Sequence, residues 1–234
     1  MALRIVGIEP ILVDVPLREP VHGVHGVTTV QRSVLVRVTS DDGIEGWGNV
    51  DPTPGYSAMS AAEVHDTVRR IGPTLTGTDP FNVHRALAAM DRAAPGRSEA
   101  IAAVEMALVD LKARALGLPA HSLLGGDVKD EIAFNAWIGT VPPEQAAREA
   151  TEWLGRGFRS AKIKVSGAAP DGIARVAAVR AAVGDRMALR VDFNESLTLA
   201  EAVPFIRRPT AARTAATRAI PSGVAPDTLI LAER

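Results

Sequence analysis

Two short runs could do chemistry together: Lys162-Ile163-Lys164 and Asp192-Phe193-Asn194. They close strand-like stretches at residues 160–165 and 189–193. Side chains two apart on a strand share a face, so Lys162 and Lys164 point one way and Ile163 and Val165 the other. By the same parity Asp192 and Asn194 share a face, opposite Leu189, Val191 and Phe193. Two ammonium groups on one face repel, which favours the neutral form of at least one. A neutral lysine is a usable general base near neutral pH. A carboxylate on the neighbouring strand suits a hard divalent cation such as Mg²⁺, which prefers oxygen ligands and keeps waters. Neither run is diagnostic alone. Lys-x-Lys is common on solvated strand edges, and Asp-x-Asn usually bonds nearby backbone in a turn or cap. What favours chemistry is their order and their place at C-terminal strand ends, where parallel α/β barrels hold their active sites.

The elements that must position these residues alternate. Residues 131–138 read as a strand, and 142–154 as a helix opened by prolines at its permitted first turn. After the strand at 160–165, the spacing predicts a helix over 171–183 with Ile173, Val176, Ala177 and Val183 facing inward. The strand at 189–193 and a helix over 198–207 follow. Alternation of this kind argues for parallel sheet.

Upstream the pattern is α+β. Ile5, Ile8, Ile11 and Val13 punctuate an extended run, and residues 34–38 and 44–50 flank Asp41-Asp42-Gly43, a hairpin turn. Helical patterns cover 58–71, 80–93 and, most strongly, 98–117. The last runs from Ser98 as N-cap to Gly117 as C-cap, with Ile101, Val104, Leu108, Leu111 and Ala115 at helical spacing. Leu123-Leu124-Gly125-Gly126 reads as the junction between modules.

Composition narrows the classes. The 234 residues are 47% hydrophobic with a net charge of −1, so nothing points to nucleic acid or an anionic membrane as partner. The chain has no cysteine, which excludes disulfides and thiolate metal sites. Met1-Ala2-Leu3-Arg4 leads straight into a strand pattern without a charged-then-apolar leader, and no apolar stretch is long enough to span a bilayer. The expectation is a soluble, cytoplasmic protein.

Several stretches together carry a family resemblance. They are residues 38–48, which end in Gly46-Trp47-Gly48, and residues 103–112; Gly117-Leu118-Pro119 with Leu123-Leu124-Gly125-Gly126; then Lys162-Ile163-Lys164 and Val191-Asp192-Phe193-Asn194. In this order, over about residues 3 to 207, the chain resembles the mandelate racemase and muconate-lactonizing branch of the enolase superfamily. Asn49 departs from the acid usual after Gly-Trp-Gly, at a position we read as structural. The resemblance implies an α+β capping domain at 1–126 followed by α/β structure at 127–208, an incomplete (β/α) TIM-type barrel of about three β/α units. It implies Mg²⁺-dependent abstraction of the α-proton of a small-molecule carboxylate, in a racemase, epimerase, cycloisomerase or dehydratase; enolase-superfamily sites pair a Lys or His base with Mg²⁺. Carried over by motif, Lys164 is the base, Lys162 stabilises the enolate and favours the neutral form of its neighbour, Asp192 is the first metal ligand, and Asn194 is a nearby hydrogen-bonding residue. Loops of the capping domain select substrate in this family, which makes His22, His25 and Tyr56 candidate substrate-binding residues.

The family supplies two further acidic ligands from the next two strands and a second base from a later one, and none is recognisable here. Roughly 100 residues follow residue 130, whereas a (β/α)₈ barrel takes about 250. Two copies would bring six strands, not eight. Residues 209–234 change character: Ala, Thr, Arg and Pro dominate 209–219, which reads as an aberrant or disordered tail, as after a frameshift near Arg208. Residues 228–232 followed by Glu233 imitate a strand ending in an acid, too far from Asp192 for the family's spacing. The alternative expectation is therefore a catalytically inactive truncated fragment, binding Mg²⁺ weakly and self-associating through open strand edges and bare apolar faces.

Overall fold

The structure is a computed structural model and describes residues 3–23, 26–165, 169–194, 196–207, 217–219 and 230–233. It divides into two units, one of residues 1–20 and 28–130, the other of residues 21–27 and 131–234.

In the first unit, β1 (Ile5–Gly23), β2 (Gly26–Ser40) and β3 (Glu45–Val50) form a sheet in the order β1-β2-β3. β2 and β3 pair antiparallel, Val38 opposite Gly46 and Val36 opposite Gly48. The expected hairpin is present. Gly43 takes φ +83°, and its N–H donates to the Ser40 carbonyl. Val34, Val36 and Val38 alternate into the core, with no exposed surface.

Four helices follow: α1 (Ala61–Ile71), α2 (Val83–Ala93), α3 (Ser98–Leu116) and the single turn α4 (Ala120–Leu123). Ser60 and Glu63 close a capping box on α1, satisfying two otherwise orphan N–H groups. α3 ends as its sequence predicts, at Gly117 with φ +67°, where the Leu118 N–H reaches back to the Ala113 carbonyl. Its start differs from expectation: Arg97 holds the N-cap position, and Ser98 is already helical. Glu99, in the first turn, instead accepts the Ala58 and Met59 N–H groups at 3.1 and 2.9 Å, tying the approach to α1 onto α3.

β3 lies directly on α3. A Cβ on Gly46 would stand 2.1 Å from the Ala107 carbonyl oxygen and 2.4 Å from the Leu111 Cβ; one on Gly48 would stand 2.1 Å from the Ala103 carbonyl oxygen. The two glycines of Gly46-Trp47-Gly48 are thus the condition for strand and helix to touch, while the Trp47 N–H donates to Asp110 Oδ2 at 2.9 Å.

The second unit alternates strand and helix: β4 (Ala136–Ile138), α5 (Pro143–Gly155), β5 (Ser160–Lys164), α6 (Ala169–Val183), β6 (Ala188–Asp192) and α7 (Leu199–Arg207). β4, β5 and β6 are parallel neighbours, with Trp137 opposite Lys162 and Lys164 opposite Asp192. Ile163, Val165, Leu189 and Phe193 pack with Val176, Val179 and Val183 of α6 in one core. The strand expected over 131–138 is only three residues long. Ala136 pairs with Ala161, so residues 131–134 run past the start of β5 and find no ladder; Ile132 and Phe134 stay exposed.

Two further strands, β7 (Thr217–Ala219) and β8 (Ile230–Glu233), complete the order β4-β5-β6-β8-β7. β8 pairs antiparallel with β6, Ile230 opposite Asp192 and Leu231 opposite Val191. It therefore does not continue the parallel strand–helix alternation. Its direction carries Glu233 toward the N-terminal end of β6, away from the register of Asp192.

Candidate functional site

β5 and β6 deliver four of the residues singled out in the sequence to one place. Their C-terminal ends are level, because Lys164 pairs with Asp192. Burial alternates along β5 as the parity argument requires: Ala161 and Ile163 are buried, Lys162 and Lys164 half-buried. Lys164 Nζ donates to Asp192 Oδ2 at 2.8 Å and to Asn194 Oδ1 at 2.6 Å. Lys162 Nζ lies 3.3 Å from the same Asp192 oxygen. The two Nζ atoms therefore do not face each other unshielded; they share one carboxylate. The second oxygen, Asp192 Oδ1, accepts the Asn194 N–H at 3.0 Å. That local turn is why Asn suits position 194: its φ is +47°, a left-handed conformation that Asn tolerates better than most residues.

Burial works to raise the Asp192 carboxyl, but the Lys164 hydrogen bond and charge, the Asn194 N–H and the Lys162 charge outweigh it. The result lies below the ordinary aspartate range. A depressed folded-state value means that Asp192 adds stability above its unfolded value of about 3.9, and that this stability is lost as pH falls through the folded value. Asp192→Asn should therefore destabilise the chain at neutral pH by roughly 1–3 kcal/mol. The gap from the wild type should close in acid, once Asp192 is protonated in both states. Urea denaturation of both proteins across that pH range checks it; a gap that widens in acid would be the wrong sign.

His22 lies in β1, and His25 lies outside the described residues. Tyr56 sits in the turn before α1, its N–H on the Thr53 carbonyl and its ring about half exposed. Two residues not singled out in the sequence belong to the Lys162 face by register, Trp137 of β4 and Arg190 of β6. Trp137 remains 39% exposed, and its ring covers Gly139, where an added Cβ would meet it at 3.0 Å. Strand parity could have found both. Among the described residues, no group of three or more His, Asp or Glu side chains could hold a metal ion. Asp192 alone gives few protein ligands for a firm Mg²⁺ site, although Mg²⁺ keeps several waters and can be held through one or two carboxylates.

An α+β unit is followed in the chain by an α/β unit whose consecutive parallel strands end in a lysine pair and a carboxylate. The sequence pattern of the mandelate racemase / muconate lactonizing enzyme N-terminal domain matches residues 7–125, and that of the enolase C-terminal domain-like region matches residues 145–214, past Arg208. The chain belongs to the mandelate racemase / muconate lactonizing enzyme family of the enolase superfamily.

It is 34% identical over 209 residues to the L-Ala-D/L-Glu epimerase of Bacillus subtilis, across 88% of this chain and 57% of that protein. It is 37% identical over 201 residues to a chloromuconate cycloisomerase of Cupriavidus pinatubonensis, across 83% of this chain and 54% of that protein. Among solved structures it resembles the dipeptide epimerase of Enterococcus faecalis complexed with Mg and the dipeptide L-Leu-L-Tyr. There the TM-score is 0.83 at 28% identity, covering 87% of this chain and 57% of that one. The chain thus spans about half the length of the curated relatives it matches. Further relatives are named as racemases and dehydratases. Among the described residues, no helix is long and apolar enough to cross a membrane.

Proposed function

We propose that this chain carries the proton-transfer part of an enolising site, in which Lys164 takes the α-proton of a small carboxylic acid. One observation carries the reading: the Lys164 amine stands at a strand end within 2.8 Å of Asp192 and 2.6 Å of Asn194, with Lys162 beside them. When the amine accepts the proton it becomes an ammonium, whose charge Asp192 and Asn194 are placed to receive. The Lys162 ammonium faces the same space and favours the negative charge that develops on the deprotonated substrate. Returning the proton gives racemisation or epimerisation, and loss of a leaving group β to the carboxylate gives dehydration; a cycloisomerase runs the elimination in reverse, ring closure onto an unsaturated acid forming the enediolate and the Lys164 ammonium then delivering the proton. The names of the relatives span all of these reaction types. His22, His25 and Tyr56 remain the proposed substrate-selecting residues. Uptake of solvent deuterium at the substrate α-carbon is the direct test.

A second reading, that the 234-residue chain is catalytically silent by itself, is favoured by Asp192 being the one carboxylate that the described residues bring to the site. Mg²⁺, when bound, would stabilise the enediolate, and Asp192 is the residue here that would contribute to holding it. We expect the chain alone to bind Mg²⁺ weakly, without saturation below about 1 mM, a range typical of sites with few charged ligands. Calorimetric titration checks this. Tight stoichiometric binding abolished by Asp192→Ala would mean that further ligands converge on Asp192. The incomplete (β/α) barrel belongs to the same reading: among the described strands, β4 is paired on one side only, and the chain before it leaves Ile132 and Phe134 bare. Open edges and apolar surface of this kind favour self-association.

A further inference from the structure

Arg175 is a buried arginine that the proton transfer does not use. It lies on α6 with 4% of its surface exposed. At four-residue spacing it precedes Val179 and Val183, so it occupies the stripe that α6 turns to the sheet. A guanidinium in such a place is costly unless its donors are met, and burial pulls its pKa below the ordinary arginine value, with Asp171 acting the other way. Two of its five donors are met by backbone carbonyls. Arg175 Nε donates to the Val141 carbonyl at 2.5 Å, and Nη1 donates to the Lys164 carbonyl at 2.8 Å. The first acceptor belongs to the loop after β4, the second to the last residue of β5.

Lys164 is thus gripped at both ends. Its amine is held by Asp192 and Asn194, its own carbonyl by Arg175, and the next N–H, of Val165, donates to the Asp192 carbonyl at 3.0 Å. A planar guanidinium fork holds two carbonyls in one fixed relative geometry, which the compact, rotatable ammonium of a lysine does not. We propose that Arg175 is a positioning residue for Lys164, locking the C-terminal end of β5 to the loop after β4 so that the amine is delivered to Asp192 and Asn194 in one fixed geometry. This rests on the reading of Lys164 as the base, and its test is independent of turnover.

The test is the rate at which a small acylating reagent modifies Lys164, relative to Lys162 in the same molecule, followed by mass spectrometry on the full chain. In the wild type the contacts with Asp192 and Asn194 hold Lys164 back. In Arg175→Gln, with an unchanged circular-dichroism spectrum, the Lys164-to-Lys162 ratio should rise about fivefold, the equivalent of one net hydrogen bond. Arg175→Lys, which keeps the charge but loses the fork, should fall between the two, and it carries the test if Arg175→Gln does not fold. Arg186→Gln is the control. Arg186 donates to the Val183 and Ala182 carbonyls of the same helix, and its loss should leave the ratio at the wild-type value. A wild-type ratio in folded Arg175 variants, or an equal rise in Arg186→Gln, overturns the proposal. A separate failure, deuterium exchange that survives Lys164→Ala, would instead remove the base assignment while leaving the ratio result standing.

Discussion

Gly46→Ala should unfold the first unit or leave it barely stable. The new methyl would stand 2.1 Å from the Ala107 carbonyl oxygen, 2.4 Å from the Leu111 Cβ and 2.5 Å from the Leu111 nitrogen. Two of those three neighbours are helix backbone, so no side chain can swing aside to relieve the clash. β3 and α3 would have to separate, and the pair they form anchors a core containing Val36, Val38, Val104, Ala107, Leu108 and Leu111. Overpacking of a core typically costs about 1–3 kcal/mol and occasionally more. A rigid backbone contact puts this case at or beyond the upper end, against a total stability of about 5–15 kcal/mol for a domain. Gly72→Ala is the contrast: its methyl would meet the Ile8 Cβ at 3.4 Å, an ordinary contact, at a helical φ of −49°. Hydrogen exchange of the α3 amides reads the difference. Protection should collapse in Gly46→Ala and persist in Gly72→Ala; equal protection in both would show that strand and helix do not touch as described.

Local pattern carried much of this fold, and the misses have physical causes. Parity alone places Lys162 and Lys164 on one face with Ile163 and Val165 behind them, because a strand repeats every two residues whatever it packs on. The hairpin at Asp41-Asp42-Gly43 and the left-handed stop at Gly117 are likewise local events written in local residues. Strand length is not local. Residues 131–134 have strand composition, yet a ladder needs a neighbour, and β5 begins too late to supply one. The reason for two glycines around Trp47 was equally hidden, since the helix they admit lies some 60 residues further along.

At the site, the pairing of Lys164 with Asp192 follows from register, which a single sequence does not state. Two lysines sharing one face suggested repulsion; the carboxylate that they share comes from the next strand. Arg175 shows the opposite failure. Its spacing of four from Val179 put it on the apolar stripe in plain view, but only the structure reveals the Val141 and Lys164 carbonyls that make a buried guanidinium tolerable.

Loss of the Lys164 amine should remove the chemistry rather than the fold. A general base contributes about 10²–10⁴-fold to a proton transfer, and with alanine at 164 the Lys162 amine, 3.3 Å away, is the side-chain donor left to Asp192 Oδ2 among the described residues. Lys162→Ala should cost less, because in the proposed mechanism that residue acts on developing charge and does not itself take the proton. Lys164→Ala also leaves Asp192 with one cation and the Asn194 N–H, so the strand end keeps its local turn.

The most direct measurement is α-deuterium incorporation in D₂O with Mg²⁺, followed by proton NMR. The protein would be this chain joined in frame to the remaining strand–helix units of the Bacillus subtilis L-Ala-D/L-Glu epimerase, and the substrate that enzyme's dipeptide. The joined protein should exchange the α-proton at the carbon that epimerisation inverts, and Lys164→Ala should slow that exchange by about 10²-fold or more while secondary structure is retained. Exchange that proceeds at the unmutated rate in Lys164→Ala would contradict the account.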